Sequence, residues 1–415
     1  MTILIYNFSQ MNTFIIYQYI ITAILGLFFV NFIINNIVLK KTSNYRLPDS
    51  FKKNPPLASV MIPARNEAEN IKRCLRSLLK QDYPNIEILV LDDNSIDGTS
   101  ASVKEMAEKD ERIKLISGKP LKKGWLGKCY ACWQLSKYAK GKYLIFTDAD
   151  TLHFENSVSS AIGCLITNKL DAMSSIPRQI MVTIHERLLI IWVHFGIMAL
   201  LPLYLINKSK GPLFSTANGQ FMLFKREVYR KIGGHRSIKN KILEDIHISK
   251  MVKKHGYKFM VFDGSGNINC RMYRSYRDLI RGFSKFMFAA FDFKLFTMAV
   301  VIMLIIVLFL IPFILLPLGV LFFDWPGIII NLTILQIFFL LIMRIMLAIK
   351  VRYRIFDAFL HPFSMIYVVL VCINSVFQTK FGEGVNWKDR RYDVYGEDNL
   401  ELIGDDSDKE INFLS

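Results

Sequence analysis

Long uncharged hydrophobic blocks at both ends of this 415-residue chain constrain it before any motif is read. The first covers residues 11–39 and is followed by Lys40 and Lys41. A membrane-crossing helix needs about 20 apolar residues, so this block is long enough to span. It has no basic leading region and no small-residue cleavage site, which makes it an anchor rather than a cleaved signal. The basic flank predicts that its C-terminal end faces the cytoplasm. A second block, residues 297–323, contains Pro312 and Pro317, which predict a kink. The turn Asp324-Trp325-Pro326 then leads to a third block ending at Lys350, Arg352 and Arg354, so the turn is expected outside and the basic end inside. Arg344 near that end is expected to snorkel towards it. Residues 355–379 are apolar enough to cross, but His361-Pro362 interrupts them, and the basic cluster beyond favours a re-entrant or interfacial segment.

The expected layout is therefore an anchor at 11–39, a cytoplasmic mixed domain at 55–290 and a membrane region of two or three hydrophobic segments at 297–380. A charged tail follows at 381–415, and the whole is a multi-pass protein of the cell membrane. A composition of 52% hydrophobic and 21% charged residues agrees with membrane segments. The net charge of +17 sits beside a tail in which Glu397 to Glu410 carry seven acidic residues against Lys409. No nucleic-acid-binding module is recognisable, so the basic surface is assigned to anionic lipid and a diphosphate, with no nucleic-acid partner. The six cysteines follow no repeated spacing; Cys129 and Cys132 form one close pair without a second, which argues against zinc and for reduced thiols.

Between the blocks, short apolar runs at 58–62, 86–91, 113–117 and 143–147 alternate with polar, helix-length stretches starting near Asn66, Gly98 and Gly127. That alternation predicts a doubly wound α/β domain, whose ligands bind beyond the carboxyl ends of the strands. The first strand runs into Pro63-Ala64-Arg65-Asn66-Glu67 and the second into Asp92-Asp93. A strand-end carboxylate suits a ribose hydroxyl or a base edge; Asp97 reads as a helix cap. The fourth ends in Asp148-Ala149-Asp150, two carboxylates spaced to grip a hard divalent cation, Mg²⁺ or Mn²⁺, against phosphate oxygens. Glu244-Asp245 opens a helical stretch, where acidic residues are favoured by the dipole but could equally supply a general base. Lys128 could reach a phosphate or be merely solvated, and Asn218 and Gln220 could read sugar hydroxyls. Arg271 and Arg274, near Tyr273, suit a leaving diphosphate or lipid headgroups. Residues 184–206 are apolar with His185, Glu186, Arg187 and His194 embedded, and are expected to form an interfacial helix.

Taken in order, these motifs resemble those of the family 2 glycosyltransferases with a GT-A fold, over residues 57–286. The resemblance implies that Asp92 or Asp93 contacts the nucleoside and that Asp148 and Asp150 bind the metal and diphosphate. It implies that Asp245, with Glu244, supplies the base. Trp125-x-Gly127-Lys128, Asn218-Gly219-Gln220 and the terminal Trp387-Lys388 cluster are similar to the carotenoid glucosyltransferase and hopanoid-associated branch. On that footing the partners are a nucleotide-sugar donor, with UDP-glucose the family default, a membrane lipid acceptor and the bilayer. A processive polysaccharide synthase is the alternative enzyme. Where such synthases carry Gln-x-x-Arg-Trp, this chain reads Arg271-Met272-Tyr273-Arg274-Ser275. A nucleotidyltransferase would carry a glycine-rich loop after its first strand, and residues 63–67 contain no glycine. A non-catalytic membrane scaffold would need none of the three carboxylates Asp148, Asp150 and Asp245.

Overall fold

Runs of β-branched and aliphatic residues, too short for helices and bounded by polar stretches, become the strands of a central sheet. The structure is a computed structural model that describes residues 2–381, 385–388, 390–395 and 399–405. Strands β1 (Ala58–Ala64), β2 (Ile86–Asp92), β3 (Ile113–Ser117) and β4 (Tyr143–Thr147) lie parallel in the order β3-β2-β1-β4. Beyond β4 follow the strands Phe221–Lys225, Ala172–Ile176 and Phe259–Asp263. Phe221–Lys225 runs antiparallel to both neighbours, so the sheet is mixed rather than wholly parallel. The register places Ala64 beside Asp92 and Asp92 beside Ser117, which brings the carboxyl ends of β1, β2 and β3 level.

The helices Ala68–Leu79, Thr99–Ala107 and Gly127–Tyr138 return the chain between these strands, close to the expected starts. Val60, Ile62, Ile88, Val90 and Ile145 are fully buried in one hydrophobic cluster with Ile71, Leu75, Leu78 and Ile162. Each such side chain contributes roughly 1.5–3 kcal/mol on burial, which fixes the sheet that carries the strand-end loops. A smaller sheet pairs Thr151–His153 antiparallel with Ile268–Cys270, which also lies parallel to Arg178–Gln179. A third joins Val385–Trp387, Arg390–Tyr395 and Asn399–Asp405. All six cysteines are buried and unpaired.

The chain divides into two compact units: one holds residues 39–180, 204–293 and 375–415 and includes the sheets; the other holds 1–38, 181–203 and 294–374. Among the described residues, four segments are long and apolar enough to cross a membrane: Met11–Val38, Leu295–Leu321, Gly327–Val351 and Ile355–Phe381. The last agrees with the reading of residues 355–379 as apolar enough to cross. The continuous domain expected at 55–290 is interrupted, because the helix Ile184–Leu200 belongs with the apolar helices. Asn31 and Asn35 hold its end, donating to the carbonyls of Met198, Ala199 and Leu201 at 2.6 to 3.2 Å. In the same unit Gln336 donates to Gln18 at 2.7 Å. Arg344 does not snorkel; its side chain is fully buried, with the guanidinium 5.7 Å from the ring centre of Phe195. Among the described residues its three nitrogens have no hydrogen-bond partner. The expected acidic tail falls partly outside the described residues, as do Asp389 and residues 406–415.

Candidate active site

The turn after β4 carries Asp148 and Asp150 and is held from beneath by a hydroxyl–imidazole network. Thr151 Oγ1 donates to the Asp148 carbonyl at 2.7 Å and lies 3.1 Å from Thr147 Oγ1 and 2.9 Å from His153 Nε2. Burial pushes His153 down to about 3, so this imidazole is neutral and serves the turn. Asp150 Oδ1 is buried and has no hydrogen-bond partner among the described residues. An unmatched buried oxygen is costly unless something meets it, and a hard divalent cation is the ligand two such carboxylates favour. Among the described residues no group of three or more His, Cys, Asp and Glu forms a metal cage. Asp148 and Asp150 are the residues that would hold such a cation. Burial, followed by the neighbouring Asp148 charge, pushes Asp150 up to about 7.

Lys128, at the start of the helix Gly127–Tyr138, joins this turn to a distant part of the chain. Its Nζ lies 2.8 Å from Asp148 Oδ1 and 2.8 Å from Glu244 Oε1. Burial opposes the ammonium charge, but Asp148 and Glu244 outweigh it and hold Lys128 well above the usual lysine range. Burial likewise opposes the Glu244 carboxylate, and Lys128 outweighs it, keeping Glu244 low. Asp245 Oδ2 accepts from the Gly219 amide at 2.8 Å and Oδ1 from the Ile246 amide at 2.8 Å. Despite these bonds, burial and the Glu244 charge push Asp245 up to about 7. Gly219 has to be small: a Cβ there would sit 3.1 Å from Glu244 Oε1 and 3.3 Å from Lys128 Nζ. One half-buried cation thus gathers Asp148 and Glu244, with Asp245 alongside and poised near neutrality. This is the environment a general base requires.

Other expected ligands are placed differently. Gln220 points inward: it accepts from Gln179 Nε2 at 2.8 Å and donates to Cys270 Sγ at 3.1 Å. Asn218 shapes its own turn, its Oδ1 accepting from the Gln220 amide at 3.0 Å. Gln220 is buried, while Asn218 is half-buried. Arg65 is 3% exposed and donates to the Asp93 carbonyl at 2.9 Å and the Lys388 carbonyl at 2.9 Å, so it staples loops together. Asp93 accepts both guanidinium nitrogens of Arg390, at 2.5 and 3.0 Å. Asp92 stays half-buried at the end of β2, its Oδ1 accepting from the Ser95 amide at 3.1 Å. Of the two acidic residues there, Asp92 is the one left facing the sheet edge. Pro63 is half-buried at the end of β1, and Glu67 pairs with Lys388 at 2.7 Å. Arg271 lies next to the metal turn, its amide 3.4 Å from the Asp150 carbonyl. Arg274 is exposed and engages Asn70 at 2.8 Å. Gly98, not Asp97, is the N-cap of the helix Thr99–Ala107; the Asp97 side chain accepts from the Thr99 amide at 3.1 Å and the Ala68 amide at 3.0 Å.

Two cations near this edge were missed. Lys285, on the helix Tyr276–Ala289, is lowered to about 8 by burial, opposed by the Glu244 charge. Its signal was a single lysine among Phe283, Phe286 and Phe288. Arg390 stands 297 positions from the carboxylate it grips, a separation at which no local pattern points to a partner.

Residues 59–233 match the family model described as Glycosyl transferase family 2. The chain is similar to a 4,4'-diaponeurosporenoate glycosyltransferase of Staphylococcus haemolyticus, 28% identical over 55% of this chain and 60% of that protein. It is also 34% identical, over 28% of this chain and 44% of the relative, to an Escherichia coli UDP-Glc:alpha-D-GlcNAc-diphosphoundecaprenol beta-1,3-glucosyltransferase. The matched segments thus span about three fifths and less than half of these two relatives. Among solved structures, a mannosyltransferase from Pyrobaculum calidifontis, in complex with GDP-Man and Mn²⁺, aligns with a TM-score of 0.50 and 17% identity. That alignment covers 88% of this chain and 99% of the other, and it supports the fold. Residues 59–233 thus match the glycosyl transferase family 2 model, and the sheet unit has the GT-A fold.

Proposed function

We propose that this protein transfers a sugar, with inversion, from a nucleotide-diphosphate donor to a hydroxyl or carboxyl group of a membrane lipid. The carrying observation is Lys128, which holds Asp148 and Glu244 together with Asp245 alongside. UDP-glucose is the donor favoured by the relatives, one of which is named for UDP-Glc. A carotenoid or hopanoid-type acceptor is favoured by the similarity to a diaponeurosporenoate glycosyltransferase. Four candidate spans in the same chain support an acceptor drawn from the bilayer and a multi-pass location in the cell membrane. The basic flanks of those spans support a cytoplasmic sheet unit.

Asp245 takes the proton from the acceptor oxygen as that oxygen forms its bond to the anomeric carbon. The bond from that carbon to the diphosphate oxygen breaks at the same time, and the nucleoside diphosphate leaves with the electron pair. One displacement inverts the centre. The Gly219 and Ile246 amides orient the Asp245 carboxylate, and Lys128 keeps Glu244 ionised beside it. Asp148 and Asp150 would hold Mg²⁺ or Mn²⁺, which supplies charge neutralisation for the departing diphosphate. Arg271 lies beside that turn and suits the same anion.

The test is to reconstitute the full chain in lipid vesicles with Mn²⁺, UDP-[¹⁴C]glucose and extracted carotenoid-containing lipids. Labelled lipid bearing a β-linked sugar from the α-configured donor is expected. Label incorporated with retained configuration, or into water-soluble polymer instead of lipid, contradicts the proposal.

A further inference from the structure

Three points along the carboxyl edge of the sheet are tied to one short segment near the C-terminus. After β1, Lys388 Nζ donates to the Asn66 carbonyl at 3.1 Å and to Glu67 Oε1 at 2.7 Å, while its carbonyl accepts from Arg65 Nε at 2.9 Å. After β2, Arg390 forms its two-pronged pair with Asp93. At the start of the helix Gly127–Tyr138, the Gly127 amide donates to the Tyr392 hydroxyl at 3.3 Å. The pair is dry, with side-chain exposures of 2% for Arg390 and 4% for Asp93, and Tyr392 is 1% exposed.

The tied loops are conformationally demanding. Asn66 and Asn94 adopt left-handed backbone conformations, with φ of 52° and 56°. Such residues persist only when their surroundings hold them. Arg65 completes the clamp by donating to both the Asp93 and the Asn94 carbonyls, at 2.9 and 3.4 Å. The strand order sets β1 beside β4 and β2 on the far side of β1, so these loops share an edge with Asp148 and Asp150. A nucleoside diphosphate with its diphosphate at Asp148 and Asp150 has its nucleoside over the ends of β1 and β2. Arg390 also satisfies the Asp93 charge, leaving Asp92 as the carboxylate available there. None of the residues from Lys388 to Tyr392 lies within the family match.

We infer that Arg390 is a positioning residue of the donor-nucleotide site, acting through Asp93, and that Lys388, Arg390 and Tyr392 brace the nucleoside end of that site. The inference rests on the glycosyltransferase reading above.

The experiment uses the full chain in detergent and measures binding of UDP, GDP and dTDP with Mn²⁺ by calorimetry, well below each variant's melting midpoint. Hydrolysis of UDP-glucose in the absence of lipid acceptor separates KM from kcat. Arg390→Ala is expected to weaken nucleotide binding and raise the donor KM by about tenfold or more while kcat changes less, since displacing a positioned group is felt mainly in geometry. Arg390→Lys is expected to restore binding only in part, because an ammonium lacks the two-pronged fork. Tyr392→Phe removes one hydroxyl from a folded protein and is expected to weaken nucleotide binding a few-fold, which keeps the test open should Arg390→Ala not fold. Unchanged nucleotide affinity in the folded variants, whatever their melting midpoints, overturns the inference and leaves a structural fastener only. Wild-type protein that binds none of the three nucleotides overturns the donor reading itself, and the inference with it.

Discussion

At Asp245 the surroundings raise an ordinary carboxyl into the range that the proposed base needs at neutral pH. Its two backbone hydrogen bonds favour the charged form, yet burial and the Glu244 charge prevail and raise it to about 7. Only the ionised form accepts a proton, so turnover is expected to fall about tenfold per unit below about pH 7 and to level off above it. A pH–rate profile that stays flat from about pH 6 to about pH 8 would contradict this role. The same shift acts on stability in the opposite direction. A carboxyl raised on folding favours the folded state most at low pH, and that contribution is lost as pH rises through about 7. Asp148-x-Asp150 and Glu244-Asp245 were legible because they adjoin an apolar strand and open a helix. Gln220 was not, because its inward turn depends on Gln179 and Cys270, which no local pattern links to it.

At the level of elements, the turn after β4 depends on buried groups that carry no charge of their own. Thr151 is fully buried and its hydroxyl meets the Asp148 carbonyl, Thr147 and His153. Thr151→Val keeps the shape but leaves those partners unmatched, at a cost of about 1–3 kcal/mol. A lower melting midpoint is expected, together with a higher Mn²⁺ concentration for half-maximal donor binding; a midpoint and Mn²⁺ titration equal to wild type would refute this. Strands β1 to β4 were readable from their apolar runs, since burial on both faces demands continuous hydrophobicity. The antiparallel Phe221–Lys225 was harder, because its direction is set by its neighbours β4 and Ala172–Ile176 rather than by its own residues. The helix Ile184–Leu200 was foreseen as apolar, but its grouping depends on Asn31 and Asn35, more than 160 positions away.

For the whole molecule, the sequence separates the apolar helices from the sheet unit well, and it fails where a charge is buried among helices. Arg344 was expected at the basic end of its segment and instead packs over Phe195, with no hydrogen-bond partner among the described residues. A buried charge without a matched partner destabilises, so Arg344→Met is expected to leave the melting midpoint in detergent unchanged or to raise it. A fall of several degrees would show that the guanidinium is matched in the assembled protein. The central claim concerns the sheet unit: carboxylates about 100 positions apart in the chain meet through Lys128 to form one transfer site. Its most direct test compares Asp245→Asn with wild type, in vesicles, for sugar transfer and for UDP binding with Mn²⁺. The account predicts that transfer falls by about 10²- to 10⁴-fold while UDP binding stays within a few-fold. Transfer that persists at the wild-type rate, or binding lost in step with transfer, would contradict it.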